Sequence, residues 1–87
     1  MREVTRGPVV DVPDGQGLVI RRREILVDGV PVGAVSAAGQ TDGPDGKWRL
    51  FAGEGWGAED VNGNRLWDIN HTTQAGAVDA LVRHATR

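Results

Sequence analysis

The dipeptide Asp28-Gly29 stands between two β-prone runs, Ile25-Leu26-Val27 and Val30-Pro31-Val32-Gly33-Ala34-Val35. A type I′ turn needs a positive φ at both central residues, and Asp-Gly is among the pairs that adopt it most readily. The pattern therefore predicts a β-hairpin closed at residues 28 and 29. Because Pro31 has no N–H to donate, we expect it to lie at a sheet edge or to turn its nitrogen outward.

Other β-prone segments flank this hairpin. The apolar patch Leu18-Val19-Ile20 is separated from Ile25-Leu26-Val27 by Arg21-Arg22-Arg23-Glu24, whose charged side chains cannot all face a core. We expect one irregular strand with a bulge at the arginines, the alternative being two short strands around a bend. Short strands are also predicted at 9–12, 47–52 and 66–69, whereas 36–46 and the glycine-rich stretch 53–64 are predicted as loops.

The last segment has the periodicity of an amphipathic helix. Its apolar stripe consists of Ala75, Val78, Leu81, Val82 and Ala85, and Thr72 or Thr73 is suited to cap its N-terminus. A stripe this narrow is expected to lie across one face of a sheet. The sequence thus predicts an α+β fold, in which a three- to five-stranded antiparallel sheet carries one C-terminal helix on one face. We expect a single small domain over residues 1–87, with 1–7 disordered.

The predicted core combines apolar side chains of the strands with those of the helix stripe. Its members are Ile20, Leu26, Val32, Val35, Trp48, Leu50, Trp67, Ile69, Val78, Leu81 and Val82. Trp48 and Trp67 are assigned to this core because aromatic side chains bury large areas and the chain has few other large ones. Trp56 lies between Gly55 and Gly57 in a predicted loop. It either serves as an exposed binding anchor or folds back over the sheet edge.

Charge and composition argue against several classes of protein. Ten basic and twelve acidic residues give a formal net charge of −2, which does not favour nucleic-acid binding by overall electrostatic attraction. The absence of cysteine excludes disulfides and thiolate metal sites. No apolar run approaches the roughly 20 residues of a membrane span, and the N-terminus shows no signal peptide. We therefore expect a cytoplasmic protein without a membrane partner.

Catalytic and metal-binding patterns are weak. The spacing of Asp60, Asn62 and Asn64 matches the start of an EF-hand loop, but Arg65 stands where that loop needs glycine and His71 where it needs glutamate. We interpret the segment as a β-turn. The two histidines are too distant in sequence to pair on one helix face, and no nucleophile elbow, P-loop or dinucleotide fingerprint is present. We expect no catalytic, metal, cofactor or small-molecule substrate site, and hence no enzyme.

Most basic side chains lie on or beside predicted strands. If one face of the sheet is open, the basic residues able to contact phosphates or bases there are Arg21, Arg23, Lys47, Arg49 and Arg65. The first expectation is an open face that carries Arg49, with the acidic residues gathered in the loops at the sheet's ends. The alternative is an ordinary solvated face, on which these side chains pair with neighbouring carboxylates.

Three stretches, Ile25–Val35, Gly46–Ala52 and Leu66–Ala85, together cover less than half of the chain. A sheet carrying Gly-Lys-Trp-Arg, followed by a threonine-capped helix with alanine and leucine on its inner stripe, resembles the AP2-like DNA-binding fold. That fold includes the arm-binding N-terminal domains of phage and conjugative-element integrases. In this family the exposed sheet face enters the major groove, so the resemblance implies DNA contacts by Lys47, Arg49 and the nearby Arg65.

Two functional hypotheses remain open. The first is a small accessory protein of phage or mobile-element type that contacts nucleic acid through its sheet face. The second is a protein-interaction or self-associating module that uses the sheet edge near Pro31 or Trp56, with no nucleic-acid role. The salt dependence of binding separates them. For duplex DNA, the logarithm of the binding constant falls against the logarithm of the salt concentration with a slope of about −0.9 per phosphate neutralised.

Overall fold

The computed structural model describes residues 2–41 and 44–86. Its elements are β1 (Val4–Arg6), β2 (Val10–Pro13), β3 (Val19–Val27), β4 (Val30–Gln40), β5 (Arg49–Leu50), β6 (Trp56–Glu59), β7 (Arg65–His71) and α1 (Gln74–Ala85). The prediction of an α+β fold, with a C-terminal helix packed on an antiparallel sheet, is confirmed. Within the described residues, α1 falls short of the length and apolarity that a membrane-crossing helix needs.

Over the residues that the structure describes, the sheet has seven strands, more than the three to five expected. The order across it is β1-β3-β4-β6-β7, with β2 also pairing with β3 and β5 also pairing with β4. The number is higher because two short strands can pair with one long strand. β1 and β2 both pair with β3 along the same edge of the sheet, and the residues between them include Gly7 and Pro8. The segment 1–7, expected to be disordered, contains β1, so that expectation is wrong for Val4–Arg6, which pair with residues 25–27.

The hairpin at Asp28-Gly29 is confirmed. Val27 pairs directly with Val30, and the φ angles of Asp28 and Gly29 are 51° and 80°, both positive as a type I′ turn requires. The tip of this hairpin therefore takes the conformation that its sequence favours, which fixes the register of β3 against β4.

β3 runs through the three arginines as one strand, as expected, but its irregularity lies elsewhere. The register against β4 shifts between Ile25 and Leu26, not at the arginines. Alternation along a strand sends Arg22 to one face and its two neighbours to the other. Each guanidinium can then reach a polar partner while its apolar stem covers the sheet, so that no bulge is needed there.

Two predicted loops are in fact partly strand. β4 continues to Gln40, into the predicted loop 36–46, and β6 lies inside the predicted loop 53–64, whereas β5 is shorter than the strand expected at 47–52. The small residues of these strands make room for neighbouring large side chains. A Cβ added at Gly39 would lie 2.2 Å from the Trp48 ring, and one added at Gly57 would lie 2.2 Å from the guanidinium of Arg65. Tertiary packing thus overrides their low β-propensity.

The helix packs against β4, β6 and β7, and the core lies between them. Its buried members are Ile25, Val35, Ala37, Trp56, Ala58, Ile69, Ala77, Val78 and Leu81. Four of these were predicted: Val35, Ile69, Val78 and Leu81. Val32, Trp48, Leu50 and Val82 are half-buried against the core. Ile20 and Leu26 were assigned to it wrongly, because the alternation along β3 buries Ile25 and Val27 instead.

The helix begins with a side-chain cap. Thr73 has extended backbone angles, and its Oγ1 accepts a hydrogen bond from the backbone N–H of Gly76 at 3.1 Å. Of the two threonines that the sequence offered, Thr73 is therefore the N-cap. Arg83 lies in the last turn, where its positive charge complements the helix dipole.

We expect Thr73→Ala to lower the free energy of unfolding by about 1 kcal/mol, because the first turn loses an acceptor for one of its unpaired N–H groups. Thr72→Ala, one residue earlier, is the matched control and should change it by less than about 0.5 kcal/mol. Urea denaturation of both variants checks this. Equal losses would mean that Thr73 does not cap the helix.

Candidate binding surface

One face of the sheet is left open by the helix. Arg23 of β3 pairs with Val35 of β4, and the two lie on the side of the sheet that faces the core and α1. The neighbouring row consists of Arg22, Ser36 and Gly57, which successive strands place side by side. Because side chains alternate between the two faces of a sheet, this row points away from the helix. We call this side the open face.

Trp67 protrudes from the edge of the open face. β7 is irregular against β6, since Gly57 pairs with Asn70 and Glu59 pairs with Arg65, which leaves residues 66–69 opposite Ala58 alone. Such bulges redirect side chains. Trp67 is 84% exposed, the most exposed of the large hydrophobic side chains that the structure describes. Its assignment to the core was therefore wrong, and a large apolar surface stands in water.

Arg65 lies beside this tryptophan. Its guanidinium carbon is 5.5 Å from the centroid of the Trp67 ring, within the range of a cation–π contact. Its other support is Gly57, whose missing side chain leaves the space that the guanidinium fills. Within residues 2–41 and 44–86, no carboxylate lies within ion-pairing distance of Arg65. Among these described residues, the guanidinium of Arg65 therefore contacts an aromatic ring and a glycine and no carboxylate.

Unlike Arg65, the other two arginines of the open face form ion pairs. The Nε of Arg22 lies 2.8 Å from a carboxylate oxygen of Glu59, and Arg49 lies 2.8 Å from Asp45. Arg49 pairs across the sheet with Gln40, which places it on the open face, as expected. Lys47 is exposed just before β5. Because these pairs are exposed, each stabilises the fold by only about 0–1 kcal/mol. With the carboxylates of Glu59 and Asp45 beside these arginines, the open face carries charges of both signs and is not basic overall.

Arg21 and Arg23 lie on the helix side of the sheet, so the five basic residues grouped by the sequence do not form one surface. Arg23 donates to the carbonyl of Gly7 at 2.8 Å. Arg21 donates to the Asp11 carboxylate at 2.9 Å and stacks 4.6 Å above the Trp48 ring. This hydrogen bond, which Arg21 donates and Asp11 accepts, lowers the pKa of Asp11 and raises the pKa of Arg21. Alternation along β3 is the physical reason for the division.

Trp56 is buried, at 7% exposure, and does not serve as an exposed anchor. It lies in β6, and its ring centroid is 5.8 Å from that of Trp48. Of the two interpretations left open by the sequence, the structure therefore favours a tryptophan that folds into the protein. Its neighbour Gly55 leaves room for Asn70, just as Gly57 does for Arg65. The flanking glycines, taken as loop residues, are packing positions.

The segment that follows β6 is a turn closed by Asp60. Its carboxylate accepts hydrogen bonds from the backbone N–H groups of Asn62 at 2.9 Å and Asn64 at 3.0 Å. These hydrogen bonds lower the pKa of Asp60, and the bond from the backbone N–H of Asn64 has the largest effect. The interpretation of a β-turn is confirmed, because the backbone N–H of Gly63 donates to the carbonyl of Asp60 and the Asp60 carboxylate accepts hydrogen bonds from the backbone of the same turn. Over the described residues, no three His, Asp or Glu side chains converge into a potential metal site.

Of the residues on this surface, Lys47, Arg49 and Arg65 were found by sequence reasoning and Trp67 was missed. A usable signal was present: Leu66 and Trp67 are consecutive, so on a strand only one of them can face the core. Leu66 is the one that packs against it. Compared with protein-family models, with curated proteins and with solved structures, the chain shows no match.

Proposed function

We propose that this protein is a protein-binding module whose contact surface is the open face, with Trp67 as its anchor and Arg65 beside it. The exposure of Trp67 carries the proposal. An indole on a bulged edge strand keeps a large apolar area in water, and binding would remove that area from water. Tryptophan and arginine are also the residues most enriched among those that dominate binding energies at protein interfaces.

Other side chains of the open face fit the same function. Val10 and Val12 pair with Arg22 and Ile20, so they lie on this face, and they are 49% and 52% exposed. Apolar side chains with paired charges between them resemble the mixed composition of non-obligate interfaces.

The nucleic-acid hypothesis receives less support from this arrangement. Duplex binding depends on several cations that neutralise phosphates together. On the open face, Arg22 and Arg49 already have carboxylate partners, and Glu24 lies on the same side as Arg22. Arg21 and Arg23 face the other way. The observations therefore favour a protein partner, with nucleic-acid binding as the competing outcome of the test.

The test is selection of ligands against the whole chain. A phage-displayed library of random dodecapeptides is panned on the wild-type protein, and the enriched clones are measured against Trp67→Ala. We expect binding to fall at least tenfold, as for a residue that dominates an interface. Val30→Ala is the matched control, because Val30 is also exposed, at 62%, but lies at the hairpin tip.

In parallel, a fluorescent random-sequence DNA duplex is titrated at low and high salt. Clones that bind Trp67→Ala as tightly as the wild type, or a library that yields none, would contradict the proposal. So would tight duplex binding that weakens steeply with salt and needs Arg49 and Lys47, since that result would restore the nucleic-acid hypothesis.

A further inference from the structure

Resting on the proposed function, we infer that the partner is an extended protein segment with one acidic side chain, which Arg65 binds, and an apolar side chain two residues away, which packs on Trp67. Arg65 is distinguished from the other open-face arginines because it alone lacks a carboxylate among the described residues. A guanidinium presents several N–H donors in a fixed plane that matches a carboxylate.

A small cavity adjoins Arg65 on the open face. Its volume is about 140 Å³, and its walls include Ile20, Ser36, Glu54 and Arg65. The hydroxyl of Ser36 and the guanidinium of Arg65 can both donate to a carboxylate that enters it. Glu54 on another wall repels any carboxylate that enters, and this repulsion has to be outweighed by the attraction of Arg65. Further acidic side chains would add repulsion that one guanidinium does not balance. The cavity thus suits a single acidic side chain rather than a run of them.

The guanidinium is already in position before a partner arrives. It rests over Gly57, where any Cβ would lie 2.2 Å from its nitrogen, and against the Trp67 ring. Little side-chain freedom is then lost when a carboxylate binds, which improves affinity. Gly57 is a positioning residue in this sense, because a larger residue there would displace Arg65.

The spacing of the two subsites indicates an extended chain. The guanidinium carbon and the Trp67 ring centroid are 5.5 Å apart. In an extended segment, side chains two residues apart project to the same side, roughly 6.6 Å from each other. An acidic residue and an apolar residue at positions i and i+2 can therefore meet Arg65 and Trp67 together.

The probes are two blocked pentapeptides, acetyl-Thr-Glu-Thr-Leu-Thr-amide and the same peptide with glutamine in place of glutamate. Each is titrated into the full ¹⁵N-labelled chain while the Nε–H signals of Arg65 and the Trp67 indole are followed by NMR. We expect the glutamate peptide to shift both signals and the glutamine peptide to bind at least tenfold more weakly. Arg65→Gln should remove this difference, and Arg49→Gln, on the same face, should keep it.

Three results would overturn the inference. Equal binding of both peptides, lost in Trp67→Ala, would leave the proposed function standing and refute the acidic subsite. No shift of either signal by either peptide would refute the inference, while the library selection decides the proposed function separately. Oligothymidylate that shifts both signals more than the glutamate peptide does would identify a nucleic acid as the ligand.

Discussion

Leu81→Ala is expected to destabilise the protein by about 2–4 kcal/mol. Leu81 is fully buried where α1 meets the sheet, and a buried leucine cut to alanine leaves a cavity besides losing apolar contacts. A domain of 87 residues is stabilised by only about 5–13 kcal/mol, so this loss is a large share of the total. Urea denaturation followed by circular dichroism measures it.

Leu81→Met is the matched control, because it nearly conserves volume and should cost less than about 1.5 kcal/mol. If Leu81→Ala lost less than about 1 kcal/mol, the helix would not be packed on the sheet as described. The open face would then no longer be defined as the side opposite α1.

Gly33→Ala is expected to cost about 3 kcal/mol or more. The φ of Gly33 is 146°, a region that residues with a side chain rarely adopt, and a Cβ there would lie 2.1 Å from the backbone oxygen of Glu59. Backbone strain and overpacking each cost about 1–3 kcal/mol. The oxygen belongs to the neighbouring strand β6, so relief would require β4 and β6 to separate.

Gly7→Ala is the control for this substitution. A Cβ at Gly7 would lie 3.3 Å from its nearest neighbour, the backbone oxygen of Glu24, and the φ of Gly7 is not in the left-handed region. We expect a change within about 1 kcal/mol. Equal losses in the two variants would show that the close approach of Gly33 to β6 is absent in solution.

Features with local causes could be predicted from the sequence. The turn at Asp28-Gly29 depends on the φ preferences of two residues, and the helix on a cap and an apolar stripe. The extents of β4 and β6 could not be predicted in this way. Gly39 and Gly57 lie in these strands with Trp48 and Arg65, side chains from neighbouring segments, packed against them. No local pattern records such a contact.

The binding surface was predictable only in part. Arg49 and Arg65 were expected on the open face, but a strand of successive arginines does not reveal which of them faces the helix. Trp67 was wrongly assigned to the core because the register of β7 includes the bulge opposite Ala58. A bulge that turns Trp67 outward follows from pairing between strands, whereas alternation within one strand shows only that Leu66 and Trp67 face opposite ways.

Trp67 stands in solvent on the open face, whereas Trp56 is buried and Trp48 is half-buried. Relaxation of the three indole Nε1–H signals by a soluble paramagnetic agent measures this, with Trp67→Phe to assign the signals. The Trp67 signal should be broadened most. Trp48 should be protected because its indole N–H donates to the carbonyl of Val19 at 3.0 Å, and Trp56 because it is buried. A Trp67 signal as protected as that of Trp56 would contradict the account.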